Sequence, residues 1–304
     1  MIRFLKFFYI LSITIPIYAQ SEYIYVLGNT QDAGMPHIGC KHKFCQDNFT
    51  KYEEFYVTSI AVVNSDLNKY ILFEVTPDIT YQLNHIKNNI FQEFLLPEAI
   101  YITHAHIGHY SGLMYFGREA LGSKNLLVKV LPKMSNFLKT NGPWSQLVTL
   151  NNIKLQNTRF DESNSELSNI DVTPIKVPHR DEYSETAGYI IAGKNKKALF
   201  IPDIDKWEKW DKNLTELVKD FDYLLLDATF YDSKEINRDI REIPHPLVSE
   251  TINLLNSLSK ENKSKVYFIH MNHTNAMLDP NSDLSKMIIN EGFNIARLGQ
   301  KLYL

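Results

Sequence analysis

The sequence predicts an α+β fold in which two sheets pack inside layers of helix. Three observations predict it. Short runs rich in β-branched and aromatic residues recur in both halves of the chain. Helix candidates fall between those runs. Several of the runs end directly on a histidine or an aspartate, as they do where strand-end loops build a site. The composition is that of a soluble globular protein, with 44% hydrophobic and 22% charged residues. The 304 residues are ample for a sizeable core and suit one large domain or two small ones. Lys plus Arg number 32 against 35 Asp plus Glu, a net charge of −3. That balance argues against a nucleic-acid binder held by bulk positive charge. Only 12 Gly and 12 Pro, with no short repeat, exclude collagen-like, coiled-coil and low-complexity classes. Ten histidines and two cysteines remain to be explained.

The elements follow in order. Arg3 and Lys6 precede the uncharged, largely apolar run Phe7 to Ala19. A membrane span needs about 20 apolar residues, so the run reads as a secretory signal cut after Ala19 or Gln20. The mature protein is then expected in a periplasm or outside the cell. No cysteine lies near the cut, so no lipid anchor is expected. Tyr23 to Leu27 alternates as a strand, and Gly28 to Cys45 is a long Gly/Pro-containing loop. Val57 to Val63 and Lys69 to Val75 form a hairpin around Asn64-Ser65-Asp66. Pro77 to Ile90 is a helix, with Thr76 as N-cap and Pro77 at its first position. Ala99 to Thr103 is a short buried strand, and Ser111 to Leu121 is helical. The second half has strands at Val172 to Val177, Gly188 to Ile191, Ala198 to Ile201, Tyr223 to Leu226 and Val266 to Ile269. Helices are expected at Leu214 to Asp220 and Leu247 to Leu258. Asp161 to Asn169, rich in Ser, Asn and Glu, is the one linker candidate, and it is too short to mark a domain break.

The chemistry concentrates in Thr103-His104-Ala105-His106-Ile107-Gly108-His109. Imidazole is the commonest protein ligand for zinc and similar ions near neutral pH. At i and i+2 on an extended strand end, His104 and His106 can point the same way. His109 can swing back from the start of the next helix. His179, Asp203 and His270 each follow an apolar strand in the second half. An aspartate after a strand is more often a turn or cap, but the four places together form a pattern.

HAHIGH followed by His179, Asp203 and His270 resembles the metallo-β-lactamase fold superfamily, which implies a four-layer αββα sandwich and a dinuclear metal site. The segment Val26 to Gly34 with Pro36 and Ile38-Gly39-Cys40, and the segment His270 to Asn275, are similar to the pyrroloquinoline-quinone biosynthesis B proteins and their phosphodiesterase relatives. The resemblance implies that His104, His106 and His179 hold one ion. It implies that His109, Asp203 and His270 hold a second, with Asp203 between them. It covers nearly the whole mature chain, so residues 21–304 are expected to be one domain. The departure is Gly108, where the family's motif carries an aspartate. Losing that anion weakens the second site and removes the usual orienting base. Asp203 could orient the water instead, and Asp32 or another acid could fill the gap.

His245, in Ile243-Pro244-His245-Pro246 before a helix, loosely matches a histidine that helps the leaving group in the phosphodiesterase branch. It is either a general acid or a capping residue. Cys40 and Cys45, with His42 between them, fit a disulfide in an exported protein. Their spacing also fits a metal knuckle short of one ligand. The same resemblance implies a structural zinc there, held by Cys40, His42, Cys45 and His273. Of the weaker residues, His37 lines the pocket or caps a turn and His85 lies on a helix surface. Asp227 could orient a ligand histidine, and Trp207 and Trp210 pack rather than gate. There is no Ser or Cys nucleophile motif and no Gly-rich phosphate loop.

The function expected is that of a metal-dependent hydrolase using a metal-bound water on an ester or phosphodiester-like small molecule. Zinc is the expected ion, one or two catalytic and one structural, with manganese or iron as alternatives. No nucleic-acid partner or lasting membrane association is expected. Two other readings stand beside it. One is an oxidative enzyme like the quinone-biosynthesis B proteins with a single metal. The other is a non-catalytic binding protein that keeps the fold.

Overall fold

The computed structural model describes residues 21–50, 55–235, 239 and 242–304. The segment read as an export signal, residues 1–20, lies outside them. Six strands come from the first half: β1 (Glu22–Gly28), β2 (Ser59–Asn64), β3 (Lys69–Phe73), β4 (Ile100–Tyr101), β5 (Leu126–Val130) and β6 (Ile153–Asn157). Seven follow: β7 (Asn164–Leu167), β8 (Ile170–Lys176), β9 (Ala187–Ala192), β10 (Lys197–Ile201), β11 (Tyr223–Asp227), β12 (Val266–Ile269) and β13 (Asn294–Ile295). The last strand, β14 (Lys301–Tyr303), returns to pair antiparallel with β1. The sheet orders are β14-β1-β2-β3-β4-β5-β6 and β13-β12-β11-β10-β9-β8-β7. In each sheet antiparallel hairpins lie on one side and parallel strands on the other: β3 to β6 in the first, β10 to β13 in the second.

The helices are α1 (Lys43–Asp47), α2 (Ile79–Ile86), α3 (Ile107–Tyr110), α4 (Pro132–Thr140), α5 (Trp144–Thr149), α6 (Leu214–Asp220), α7 (Val248–Leu254), α8 (Lys260–Lys263) and α9 (Asp283–Asn290). Strand alternation sorts the core into layers. Ile24 and Val26 of β1 face Val172, Tyr189 and Phe200 of the other sheet, in one cluster between the sheets. Tyr23, Tyr25 and Leu27 of the same strand face the opposite way, onto Leu83 of α2 and its neighbours. In the second sheet Ala198 and Phe200 point inward. Leu199 and Ile201 point out, onto Leu214 and Val218 of α6, Val248 of α7 and Ile288 of α9. The result is helix, sheet, sheet, helix: the αββα sandwich expected. Each fully buried aliphatic or aromatic side chain contributes about 1.5–3 kcal/mol through removal from water.

Several boundaries differ from expectation for local reasons. Helix α2 begins at Ile79 rather than Pro77, with Asp78 at the cap. The Thr76 hydroxyl accepts the Asp78 N–H (3.0 Å), and the Asp78 carboxylate accepts from Val57 (2.8 Å), so the entry turn is spent tying the helix to the sheet. Beyond Ile86 the helix widens into a turn over Lys87–Phe91. Ala99 to Thr103 pairs only over β4, because its end turns into the histidine cluster. Ser111 to Leu121 is a tight helical turn over Ser111–Phe116. The linker candidate Asp161 to Asn169 is corrected: it contains β7, an edge strand whose polar residues reflect one open side.

Candidate metal centre

Most side chains of the cluster lie just past a strand end, while His109 sits in α3 and His245 in the loop before α7. Strand β1 is antiparallel to β2, and β2 to β3, so β1 runs parallel to β3. By the same count β8 runs parallel to β10. The carboxyl ends of β1, β3, β4, β8, β10, β11 and β12 therefore lead to Asp32, Glu74, His104, His179, Asp203, Asp227 and His270. Ligand sites form in such crevices because the loops there are free of the sheet.

Asp203 is the hub. Its Oδ2 lies 3.4 Å from His104 Nε2, 3.0 Å from His109 Nε2 and 3.5 Å from His270 Nε2. Its Oδ1 lies 3.7 Å from His179 Nε2 and 3.2 Å from His245 Nδ1. Three donor sets share it, each with atoms within 4.8 Å of one another. One is His104, His106, His179 and Asp203; one is Asp32, His109, Asp203 and His270; the third is Asp203, Asp227 and His245.

The ring atoms facing away from the hub are held in place. His104 Nδ1 is 2.9 Å from the Thr103 hydroxyl, and His270 Nδ1 is 3.1 Å from the Thr229 hydroxyl. His109 Nδ1 is 3.3 Å from Glu74 Oε1. Partners on Nδ1 leave Nε2 for an ion, which is how proteins orient imidazole ligands. The inward atoms His109 Nε2, His270 Nε2, both nitrogens of His179, Asp203 Oδ1 and Asp32 Oδ1 are buried with no hydrogen-bond partner. Buried polar atoms left unpaired cost about 1–3 kcal/mol each. Such a set is explained by a cation, so these residues fit a metal centre.

The electrostatics agree with that polarity. Burial would push Asp203 up, but His270, His179 and His109 outweigh it and hold the acid well below the usual range. Burial lowers His104 far below its usual value, with His109 adding to the effect, and lowers His179 to about 4. Burial also opposes charge on His109, yet Glu74, Asp203 and Asp32 raise it well above the ordinary value. His245 is raised to about 9, because Asp227 and then Asp203 and Asp32 overcome its burial.

His245 lies inside the site rather than on a helix surface. It is 5% exposed, with Nδ1 2.8 Å from Asp227 Oδ2. Asp227 also accepts from the Thr229 hydroxyl and the Ile204 N–H, so it braces His245 and, through Thr229, His270. The open side of the cluster is marked by His106 and Asp32, whose side chains are 16% and 22% exposed. Glu74 was not singled out from the sequence. It is fully buried, adopts a left-handed φ of 71° and accepts from the Thr103 N–H (3.3 Å). Only its fully buried charge marks it, and burial is a property of the fold.

The chain belongs to the β-lactamase superfamily. The model of the beta-lactamase superfamily domain matches residues 69–271, well over half of the chain. Coenzyme PQQ synthesis protein B of Pseudomonas savastanoi pv. phaseolicola is 25% identical over 93% of this chain and 100% of its own. The protein of that name from Methylococcus capsulatus is 24% identical over 92% and 99%. Among solved structures, zinc-bound PqqB from Methylobacterium extorquens superposes with a TM-score of 0.76 at 19% identity, covering 93% of this chain and 100% of that one. A diphosphatase from the PhnP family superposes at 0.65 with 21% identity, over 92% and 96%. Both structures share the fold.

The cysteine-bearing loop looks different. Cys40 and Cys45 are buried and free, with no disulfide between them. Cys45 Sγ accepts the His37 N–H (3.1 Å), and the His37 ring stacks on His273 at 4.0 Å. His42 is exposed at the N-cap of α1, yet it lines the same cavity of about 190 Å³ as His273. Among the described residues, Cys40, His42, Cys45 and His273 share this neighbourhood but do not form a close donor set like those around Asp203. Of the weaker candidates, His85 is not simply a surface residue: its Nε2 is 2.9 Å from the Tyr25 hydroxyl. Trp207 and Trp210 are packed, and donate to the Thr251 hydroxyl and the Lys176 carbonyl.

Proposed function

We propose that the protein is a metal-dependent hydrolase acting on an ester or phosphodiester-like small molecule. The observation that carries this is the pair of donor sets around Asp203, whose buried inward atoms have no hydrogen-bond partners. His104, His106 and His179 would hold one ion, and His109, Asp203 and His270 the other, with Asp203 shared between the two sets. Zinc suits imidazole with carboxylate, and manganese or iron are the alternatives. A bound dication supplies Lewis acidity and a water acidified to a pKa of about 7.

The chain's own residues do the rest. Asp203 sits between the donor sets and can accept a hydrogen bond from the attacking water. His245, held through Nδ1 by Asp227, keeps Nε2 free to give a proton to the leaving oxygen. Substrate enters on the side where His106 and Asp32 are exposed. A ring of imidazoles favours an anionic substrate.

The test is metal analysis joined to a panel of cyclic phosphodiesters, linear phosphodiesters and carboxylic esters. Turnover with zinc or manganese is expected, lost together with bound metal in His104→Ala. Full metal content and turnover in that variant would remove the assignment.

A second reading is favoured by the 24–25% identity to coenzyme PQQ synthesis protein B over most of the chain. It is an oxidative enzyme with one ion, and it requires iron content with oxygen uptake. A metal-free, inert protein would leave only the third, a binding protein keeping the fold. Export of the chain as one domain from residue 21 belongs to the same proposal. The amino-terminal sequence of the exported protein tests it.

A further inference from the structure

We propose that Asp32 supplies the anionic ligand of the second ion in place of a side chain at residue 108. The inference rests on the two-ion reading above and names the ligand that reading lacks.

The first ground is space. A Cβ placed on Gly108 would lie 2.4 Å from Asp32 Oδ1 and 2.5 Å from Asp32 Cα. Residue 32 therefore occupies the volume that a side chain at 108 would need. Because the Asp32 Cα stands in the way as well as the carboxylate, no rotation of the Asp32 side chain relieves it. The helix α3 strand-end turn can bring His109 this close to the β1 loop only with glycine at 108.

The second ground is direction. Asp32 Oδ1 is 3.1 Å from His109 Nε2 and 3.6 Å from His270 Nε2. That oxygen is buried and makes no hydrogen bond, and the two imidazole nitrogens it faces are equally unpaired and fully buried. Asp32, His109, Asp203 and His270 thus offer two carboxylates and two imidazoles around one point. The anion absent at 108 is replaced in charge, and the set suits a borderline or hard dication.

The third ground is anchoring. Thr30 bridges Val57 of the first sheet's side and Met271 of the second's. The Gln31 N–H donates to the Met271 carbonyl (2.8 Å), and the Gly34 N–H closes the turn on Gln31 (2.7 Å). The ligand is thus clamped between the segment entering β2 and the end of β12, which carries His270, as a ligand must be to be pre-organised. The same loop runs on to Cys40 and Cys45, so the second ion would be coupled to the cysteine-bearing segment and the first would not.

The test is zinc uptake by the metal-free full chain, followed by equilibrium dialysis with metal analysis and repeated with cobalt for its visible absorption. Wild type is expected to fill both sites. Asp32→Ala should weaken the second ion by ~100-fold or more, change the cobalt spectrum of that site and leave the first ion's affinity unchanged. Asp32→Asn keeps the shape and should show the same loss, which covers the case in which the alanine variant fails to fold. Gly108→Ala should lose the second ion too, and Gly108→Asp should not restore it in Asp32→Ala. An Asp32→Ala or Asp32→Asn chain that binds two ions with wild-type affinities and spectrum overturns this assignment while leaving the hydrolase reading intact. A wild-type chain that binds no ion in the Asp203 cluster overturns both.

Discussion

Two regions of this molecule gather histidines, and they do so in different ways. Around Asp203 the imidazoles sit at the ends of strands belonging to both sheets, and His104, His109 and His270 each have Nδ1 beside a threonine or a glutamate. Around the Met35 to Asp47 segment, His37 and His42 ride on one stretch of chain and His273 comes from beyond β12. There His37 lies against His273 and His42 faces solvent. In the first arrangement most rings are buried, and three of them are also held through Nδ1. The second forms no close donor set among the described residues. Pre-organisation is what separates a catalytic donor set from a structural clip.

The largest effect should come from breaking the hub. Asp203→Ala is expected to lower affinity for both ions by at least ~100-fold, since even residues that only orient a ligand are worth 10–100-fold. Dialysis with metal analysis reads it. Retention of both ions would mean that the donor sets do not share Asp203 as drawn. Next is His245→Gln, expected to reduce turnover by ~10²–10³-fold while metal content stays at the wild-type level. The loss should be greatest for substrates with poor leaving groups. An equal loss for all leaving groups would demote His245 from proton donor to a positioning residue.

Glu74→Gln sharpens the comparison at its subtler end. Glu74 touches His109 but is itself in no donor set, so in Glu74→Gln the second ion should weaken by about 10–100-fold with the first unaffected. In the cysteine-bearing loop, Cys40→Ala should remove one zinc equivalent and lower the thermal midpoint. Catalysis by the Asp203 cluster should change by less than about tenfold. An unchanged zinc count would leave the loop as packing alone, with Cys45 serving only as acceptor for the His37 N–H. The smallest effect belongs to Lys43→Ala. It removes the exposed pair with Asp47 and should shift stability by less than ~0.5 kcal/mol, even though it lies beside both cysteines.

The outcome of reading the sequence follows the range of the forces involved. Apolar runs such as Val266 to Ile269 were legible because strand alternation and burial act between near neighbours. Leu214 to Asp220 was legible for the same reason, with Asn213 accepting from the Thr215 and Glu216 N–H groups as its cap. The edge strand Asn164–Leu167 was misread as linker because an edge may be polar, and nothing local distinguishes it from a loop. The start of α2 moved by two residues because Asp78 was claimed by Val57, a partner 21 residues away.

The sequence singled out His104, His106, His109, His179, Asp203 and His270 as ligand types near apolar strand ends, the family resemblance implied their grouping, and the structure brings them together. The strand-rich halves with helices between them pointed to sheets inside helical layers, and the family resemblance implied the αββα sandwich. Tertiary structure decided the partners. It brought Asp227 to His245, buried Glu74 beside His109, and set Asp32 in the volume that residue 108 leaves empty. Those contacts join residues 18 to 76 positions apart, on different strand ends and loops of the fold. Their cost or gain appears only when the two layers close and water leaves the space between them.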